Sequence, residues 1–223
     1  AAVGLAAADA AAAARAQRLP ALGDAYVDPA AAAAWTSAVR DALAAYHAAS
    51  PIDRAAPRDV AERAAVEAGC PPPLVAALLD RLLHDGVVVA EGPGLRTPEH
   101  VVRLDAAQQR ARAALLAALR AEPFAPPRLS QAASSAGASP ALVRELEAAG
   151  ELVRVDDDLA LAGDAVEAAA ERLREAYARE GPLTAARAKE VLGTTRKYAI
   201  PLLGELDRRG ITQRRGDLRH VVG

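Results

Sequence analysis

Methionine is absent from this sequence, and lysine, cysteine, tryptophan and phenylalanine are scarce. Aromatic residues make up 3% of the chain, although hydrophobic residues make up 52%. Cores must therefore be built from Leu, Val and Ala, which favours several small helical domains over one thick core. Because no Met begins the chain and its first residues read as the middle of an element, we expect a piece of a longer protein.

The single cysteine, Cys70, excludes an internal disulfide bond and a cysteine-based zinc site. We interpret it as a small residue at a turn between two helices. No stretch reaches the roughly 18 uninterrupted apolar residues of a membrane-spanning helix. The N-terminal alanine run also lacks the basic segment of a signal peptide, so we expect a cytoplasmic protein with no membrane partner.

Motifs for catalysis and cofactor binding are missing from the sequence. There is no GxxxxGK[ST] stretch, and the acidic run at 156–158 is interpreted as a β-turn rather than as a metal site. The four histidines lack metal-binding spacing, so surface or wing positions are expected for His47, His84, His100 and His220. We therefore expect no catalytic residue, no metal, no cofactor and no enzymatic activity in this chain.

One pattern occurs four times: a short helix, a turn with glycine, a second helix and a β-hairpin. The turn glycines are Gly4, Gly69, Gly137 and Gly193. In the last three copies a second glycine ends the second helix, at Gly86, Gly150 and Gly210. The separations are 17, 13 and 17 residues, so the third copy should have a second helix about one turn shorter.

A helix-turn-helix followed by a β-hairpin is a winged helix, so the fold class is mainly α with small β-hairpins in tandem modules. Long alanine-rich helices, near 30–49, 105–121 and 164–180, join the copies. The expected domains are a truncated winged helix at 1–29 and complete ones at 30–104, 105–163 and 164–223. Trp35 should lie on a packing face of the first joining helix.

Positive charge is concentrated in the last module. Residues 182–223 contain nine basic and four acidic residues, a net charge of +5, whereas the rest of the chain carries −7. Both lysines of the protein, Lys189 and Lys197, lie in this stretch. A basic end on an acidic chain predicts one module that binds a polyanion, while the other modules space or dock it.

The basic residues occupy the two elements that winged helices present to nucleic acid. Thr194 and Thr195 open the second helix, where a threonine hydroxyl can cap it. Arg196 and Lys197 follow at its start, where backbone N–H groups can meet a phosphate. The hairpin adds Arg214, Arg215 and Arg219 as a second prong. Pro201 should bend this helix or loosen its first turns, and its role is left open.

The stretch TTRKYAIPLLGELDRRGITQRRGDLRHV resembles the last winged helix of SelB, the bacterial selenocysteine-specific translation elongation factors. The RKYAIPLL core and the RRGDLR wing carry the resemblance, and the upstream copies are similar in number and order to the C-terminal region of that family. The resemblance implies an mRNA partner, the selenocysteine insertion hairpin. It points to contacts by Thr194, Thr195, Arg196, Lys197, Tyr198, Arg214, Arg215 and Arg219, to which we add Lys189 of the same module.

The family also implies ribosome and selenocysteinyl-tRNA binding, and an N-terminal GTPase, in the full-length protein only. We expect the chain to be a monomer. Tyr198 could stack on an exposed base or be partly buried, and both readings stay open. A DNA-binding transcription regulator built of winged helices is the alternative function, and a protein-interaction scaffold is a third.

Overall fold

The computed structural model describes residues 21–23 and 25–222, which divide into two compact units. The N-terminal unit comprises the described residues up to Arg103, and the C-terminal unit begins at Leu104. Both are mainly helical with small antiparallel sheets, so the predicted fold class is confirmed. Gly4, the first turn glycine of the repeat, lies outside the described residues.

The N-terminal unit starts with a hairpin and continues as a complete winged helix. Asp28 caps the first helix by accepting hydrogen bonds from the N–H groups of Ala30 and Ala31, and Pro29 begins it. The elements are β1 (Ala21–Leu22), β2 (Ala25–Tyr26), α1 (Pro29–Ala49), β3 (Ala56–Pro57), α2 (Arg58–Glu67), α3 (Pro72–His84), β4 (Val89–Glu91) and β5 (Gly94–Arg96). The sheet of the winged helix has the strand order β3-β5-β4.

The C-terminal unit holds the next two copies of the pattern. A reciprocal pair of hydrogen bonds between Asp105 and Gln108 begins its first helix. The elements are α4 (Ala106–Ala121), α5 (Leu129–Ala136), α6 (Pro140–Ala148), β6 (Leu152–Asp156), β7 (Leu159–Ala162), α7 (Gly163–Glu180), β8 (Leu183–Thr184), α8 (Ala185–Leu192), α9 (Arg196–Arg208), β9 (Thr212–Arg215) and β10 (Leu218–Val221). The last copy has a sheet with the strand order β8-β10-β9.

The glycines that define the repeat occupy left-handed backbone positions. Gly193 ends α8 at φ 64°, and Gly210 follows α9 at φ 69°, where a residue with a Cβ would be strained. The shorter helix of the third copy is also present, because α6 has 9 residues whereas α3 and α9 have 13 each. The sequence pattern therefore located these helices and their ends correctly.

Two short strands were not predicted. β3 and β8 each add two residues to a wing and turn the expected hairpin into a three-stranded sheet. In the described part of the third copy the sheet has two strands, and hydrogen bonds to Asp158 tie its turn to α5 instead. A strand of two residues has too little alternation to be recognised in a sequence.

A single core runs across the predicted boundary at 163. Val153 and Leu161 lie before that boundary, Leu183 and Leu203 lie after it, and all four belong to one cluster of buried side chains. The third and fourth copies are thus packed together within the C-terminal unit. The predicted domain boundaries near 29, 104 and 163 mark repeats of the sequence and stay a prediction for autonomous domains.

Three side chains of the N-terminal unit test the interpretation of unusual residues. Trp35 is buried in the core of this unit together with Leu43, in agreement with a packing role. Cys70 is buried, and burial raises the pKa of its thiol, which disfavours the reactive thiolate. The surface interpretation is wrong for His47, which is 6% exposed and stacks on His100 with ring centroids 3.5 Å apart.

Candidate nucleic-acid interface

The last copy presents α9 after a tight turn from α8. Thr184 caps α8 by accepting a hydrogen bond from the N–H of Arg187, and the left-handed Gly193 ends that helix. Thr195 occupies the cap position of α9, but its side chain makes no capping hydrogen bond. The prediction that a threonine hydroxyl caps α9 is therefore wrong. The first N–H groups of α9 are left for solvent or a ligand, next to the exposed Arg196 and Lys197.

Thr194 has a different partner from the one expected. Its hydroxyl donates a hydrogen bond to the backbone carbonyl of Phe124, seventy residues earlier in the chain. Phe124 is buried in the core of the C-terminal unit, and the guanidinium of Arg172 lies 4.7 Å from the centre of its ring. The loop between α4 and α5 thereby holds the turn from which α9 begins.

The wing is the hairpin of β9 and β10, in which Arg214 pairs with Arg219 and Arg215 with Leu218. Consecutive side chains of a strand point to opposite faces, so Arg214 and Arg215 extend from opposite faces of the wing. The Nε of Arg214 donates to the carbonyl of Gly216, and the guanidinium of Arg215 donates to Gln213. Both arginines are exposed.

Arg219 departs from the sequence-based prediction. It is buried at 9% exposure, and its Nε lies 3.3 Å from a carboxylate oxygen of Asp207 on α9. Asp207 also accepts a hydrogen bond from the hydroxyl of Thr212. Arg219 therefore joins the wing to the end of α9 and does not belong to the exposed surface.

The nine basic residues of the last module fall into two groups. Arg187, Arg208, Arg209 and Arg219 pair with carboxylates of Glu180, Glu190, Glu205, Glu167 and Asp207. The pairs of Arg187 raise the pKa of its guanidinium and lower the pKa of Glu180, so this site stays ionic. The other five basic residues of this module have no carboxylate partner among the described residues: Lys189, Arg196, Lys197, Arg214 and Arg215.

These five cations differ in position. Arg196 and Lys197 lie on the first turn of α9, Arg214 and Arg215 lie on the wing, and Lys189 is half-buried in the last turn of α8. Lys189 is suited to stabilising the negative end of α8 as well as to meeting a ligand. The start of α9 and the wing are the two exposed parts of the surface, as the sequence predicted.

Tyr198 is half-buried beside Lys197, whose ammonium lies 5.0 Å from the centre of the tyrosine ring. The pair lines an open cleft of about 320 Å³ whose opposite wall is the turn Asp156–Asp158 of the preceding copy. Arg128, which precedes α5, completes the charged lining. No sequence pattern indicated this cleft, because its walls come from segments far apart in the chain.

Asp158 holds the acidic turn in place. Its carboxylate accepts hydrogen bonds from the N–H and the hydroxyl of Ser130, and these bonds lower the pKa of its carboxyl group. The interpretation of 156–158 as a turn is confirmed, since Asp157 and Asp158 connect β6 and β7. Among the described residues there is no group of three or more ligands suited to a metal ion.

Pro201 lies inside α9 without interrupting it, since the helix runs from Arg196 to Arg208. Its missing N–H leaves the carbonyl of Lys197, one turn earlier, without its helical partner. Ile200, on the preceding position, is exposed at 41%.

In the described part of the chain, no helix is long and apolar enough to cross a membrane.

Comparison with known proteins gives matches in both units. Family models described as "Elongation factor SelB, winged helix" match residues 40–96 and 175–221. The chain contains winged-helix domains of the SelB family. The second matched range includes the whole of α8, α9 and the wing, and so covers every basic residue of the candidate interface.

A curated relative, the selenocysteine-specific elongation factor of Desulfomicrobium baculatum, is 30% identical to this SelB-type chain over 157 residues. The alignment covers 69% of this chain and 25% of the relative, so the chain spans about a quarter of the length of that protein.

Two solved structures are also similar. A crystal structure of a bacterial selenocysteine-specific elongation factor, EF-Sec, has a TM-score of 0.56 at 15% identity, and the match covers 92% of this chain and 32% of the other. This likeness supports the fold. The mRNA-binding domain of E. coli SelB, solved in complex with SECIS RNA, has a TM-score of 0.43 at 26% identity, covering 54% of this chain and all of the other.

Proposed function

We propose that this chain is an RNA-binding arm of a selenocysteine-specific elongation factor, and that its last winged helix recognises the selenocysteine insertion hairpin of an mRNA. The observation that carries the proposal is the group of five cations without carboxylate partners in a domain matched by a SelB family model. Exposed cations that no acid neutralises are available to phosphates, and phosphate contacts supply most of the affinity for nucleic acid.

An RNA hairpin suits this surface better than a long duplex. The major groove of A-form RNA is too deep and narrow for side chains to read, so a helix start meets backbone phosphates or unpaired bases. Arg196, Lys197 and the N–H groups of α9 would bind phosphates at one point, and Arg214 and Arg215 at a second. The Tyr198 ring, half-buried beside Lys197, is proposed to stack on an unpaired base.

The proposed contact set is that of the sequence analysis, with two roles revised. Lys189, Thr195, Arg196, Lys197, Tyr198, Arg214 and Arg215 are proposed to face the RNA. Thr194 and Arg219 are proposed to act by positioning the turn and the wing, because their polar atoms are already bound to Phe124 and Asp207.

The remaining partners concern the whole protein. By analogy with the relative's name, we propose that selenocysteinyl-tRNA, the ribosome and GTP are bound by parts of an elongation factor that this chain does not include. The chain itself is proposed to act without a cofactor, without catalysis, as a monomer and in the cytoplasm.

A DNA-binding regulator is less favoured by the charges of the other copies. A regulator would use basic recognition helices, but α3 contains a single arginine, Arg81, which pairs with Asp85, and α6 contains a single arginine, Arg144. The acidic balance of those copies favours a single binding end.

The test compares binding of the whole chain to a selenocysteine insertion hairpin and to a DNA duplex of equal charge. The variant Arg196→Ala/Lys197→Ala should weaken hairpin binding, whereas Arg81→Ala/Arg144→Ala, which removes the same charge elsewhere, should not. If about four phosphates are neutralised, log K should fall with log salt at a slope of about −3 to −4. Equal losses in the two variants, or preference for DNA, would contradict the proposal.

A further inference from the structure

The start of α9 borders an acidic segment. Arg196 and Lys197 are exposed there. Lys197 and Tyr198 also line the cleft that faces the turn Asp156–Asp158. In the lining of this cleft three carboxylates stand against two cations, Arg128 and Lys197, which leaves a local charge of −1.

The carboxylates of this turn are only partly occupied within the protein. Asp158 is bound to Ser130 and is structural. Asp156 and Asp157 are exposed, and Asp156 accepts a hydrogen bond only from the N–H of Asp157 in the described part of the chain. The nearby Arg154 pairs with Glu147 and donates to the backbone carbonyl of Asp157. Two exposed negative charges therefore project beside the proposed RNA site.

We propose that Asp156 and Asp157 are specificity-determining residues that repel phosphates from the cleft side of α9. This inference rests on the proposed function. An RNA hairpin bound at the start of α9 and the wing places few phosphates near the acidic turn, those at Lys197, whereas a long duplex lying across the third and fourth copies brings more phosphates over that turn. The turn thus lowers the affinity for duplex nucleic acid more than the affinity for the hairpin.

The size of the effect follows from distance and screening. Two unit charges about 8 Å apart in water interact by roughly half of the value at 4 Å, and screening becomes strong beyond about 10 Å at 0.1 M salt. Two carboxylates near a phosphate path should then reduce duplex affinity by about three- to fivefold at low salt. A hairpin, which has fewer phosphates within the screening length of these carboxylates, should lose less affinity.

The experiment measures affinities of the whole chain for a selenocysteine insertion hairpin and for a blunt RNA duplex several turns long, at low salt. The test variant is Asp156→Asn/Asp157→Asn, because the asparagine oxygen at 156 can still accept from the N–H of residue 157. The control is Glu171→Gln/Glu175→Gln on the exposed face of α7, which changes the net charge equally and leaves the cleft intact. The variant Arg196→Ala/Lys197→Ala, measured in the same assay, tests the proposed function through its loss of hairpin affinity.

The asparagine variant is expected to gain three- to fivefold in affinity for the duplex and less in affinity for the hairpin. In the control variant the ratio of duplex affinity to hairpin affinity should not change. The inference is overturned if the hairpin and the duplex gain equally, if neither gains, or if the control behaves as the test variant does. A loss of hairpin affinity would also overturn it, since the turn would then be an attractive contact. If the native chain binds no hairpin, the proposed function fails and the inference fails with it.

Discussion

The hydrogen bond from Thr194 to the carbonyl of Phe124 offers a test of how the start of α9 is held. The variant Thr194→Val removes the donor and keeps a β-branched side chain of similar shape. The Phe124 carbonyl then loses the only hydrogen-bond partner that the described residues give it. A net loss of one hydrogen bond with a buried acceptor left unpaired costs about 1–2 kcal/mol. We expect the free energy of unfolding of the C-terminal unit to fall by that amount.

Urea unfolding with two signals separates the units. Trp35, the only tryptophan of the chain, is buried in the N-terminal unit, so its fluorescence reports that unit alone. Far-UV circular dichroism reports the helices of both units. With a slope of about 1–2 kcal/mol per M, the midpoint of the C-terminal unit should fall by about 1 M. The Trp35 midpoint should stay unchanged, and amide hydrogen exchange should increase at residues 194–199.

Two further variants decide whether the loss of this hydrogen bond causes the loss of stability in Thr194→Val. Thr195→Val removes a hydroxyl that makes no capping hydrogen bond and should have little effect. Thr194→Ser keeps the donor and should restore most of the stability. If Thr194→Val and Thr195→Val lower the midpoint equally, or if the Trp35 signal shifts as well, the assignment of the anchoring role to Thr194 is wrong.

Two further predictions concern buried polar side chains. Burial, and secondarily repulsion by His100, lower the pKa of His47, so its unfolded state binds more protons at acid pH. The urea midpoint followed by Trp35 fluorescence should therefore fall as the pH drops below about 6.5. This fall should be smaller in His47→Leu. The control His84→Asn changes an exposed histidine and should show the same fall as the native chain. Arg219→Ala should lower the stability of the C-terminal unit by about 2 kcal/mol, because it leaves Asp207 without its ionic partner. Under conditions in which both variants are fully folded, Arg219→Ala should lower the hairpin affinity less than Arg214→Ala does. The reverse order would contradict the positioning role of Arg219.

Local rules of the sequence located the helices well because each end has a local cause. The glycines with positive φ, the prolines at helix starts and the apolar spacing are all read within a few residues. The same rules failed where a partner is distant. The hydroxyl of Thr194 has a local role available, capping α9, but a carbonyl seventy residues away binds it instead.

The charge pattern of the sequence predicted that Arg214 and Arg215 are exposed, but it did not predict that Arg219 is buried. Arg214 and Arg219 look equivalent in the sequence, since both flank the turn of the wing. The two residues are paired in register across the hairpin, yet Arg219 forms an ion pair with Asp207, whereas Arg214 stays exposed. Net charge counts residues equally, whereas a partner within about 4 Å decides which charges remain available to a ligand.

The repeat predicted a truncated winged helix followed by three complete ones, but the core of the C-terminal unit argues against cutting between the last two. Phe124, Val153 and Leu161 share buried contacts with the cluster that contains Leu202 and Leu203 of α9. A protein cut at 163 would expose those leucines and lose the anchor of Thr194, because both depend on the preceding copy. It would also lose the acidic turn beside Lys197. The structural unit that carries α9 is therefore the whole of 104–222, and we expect both the affinity and the selectivity of the basic module to depend on its acidic neighbour.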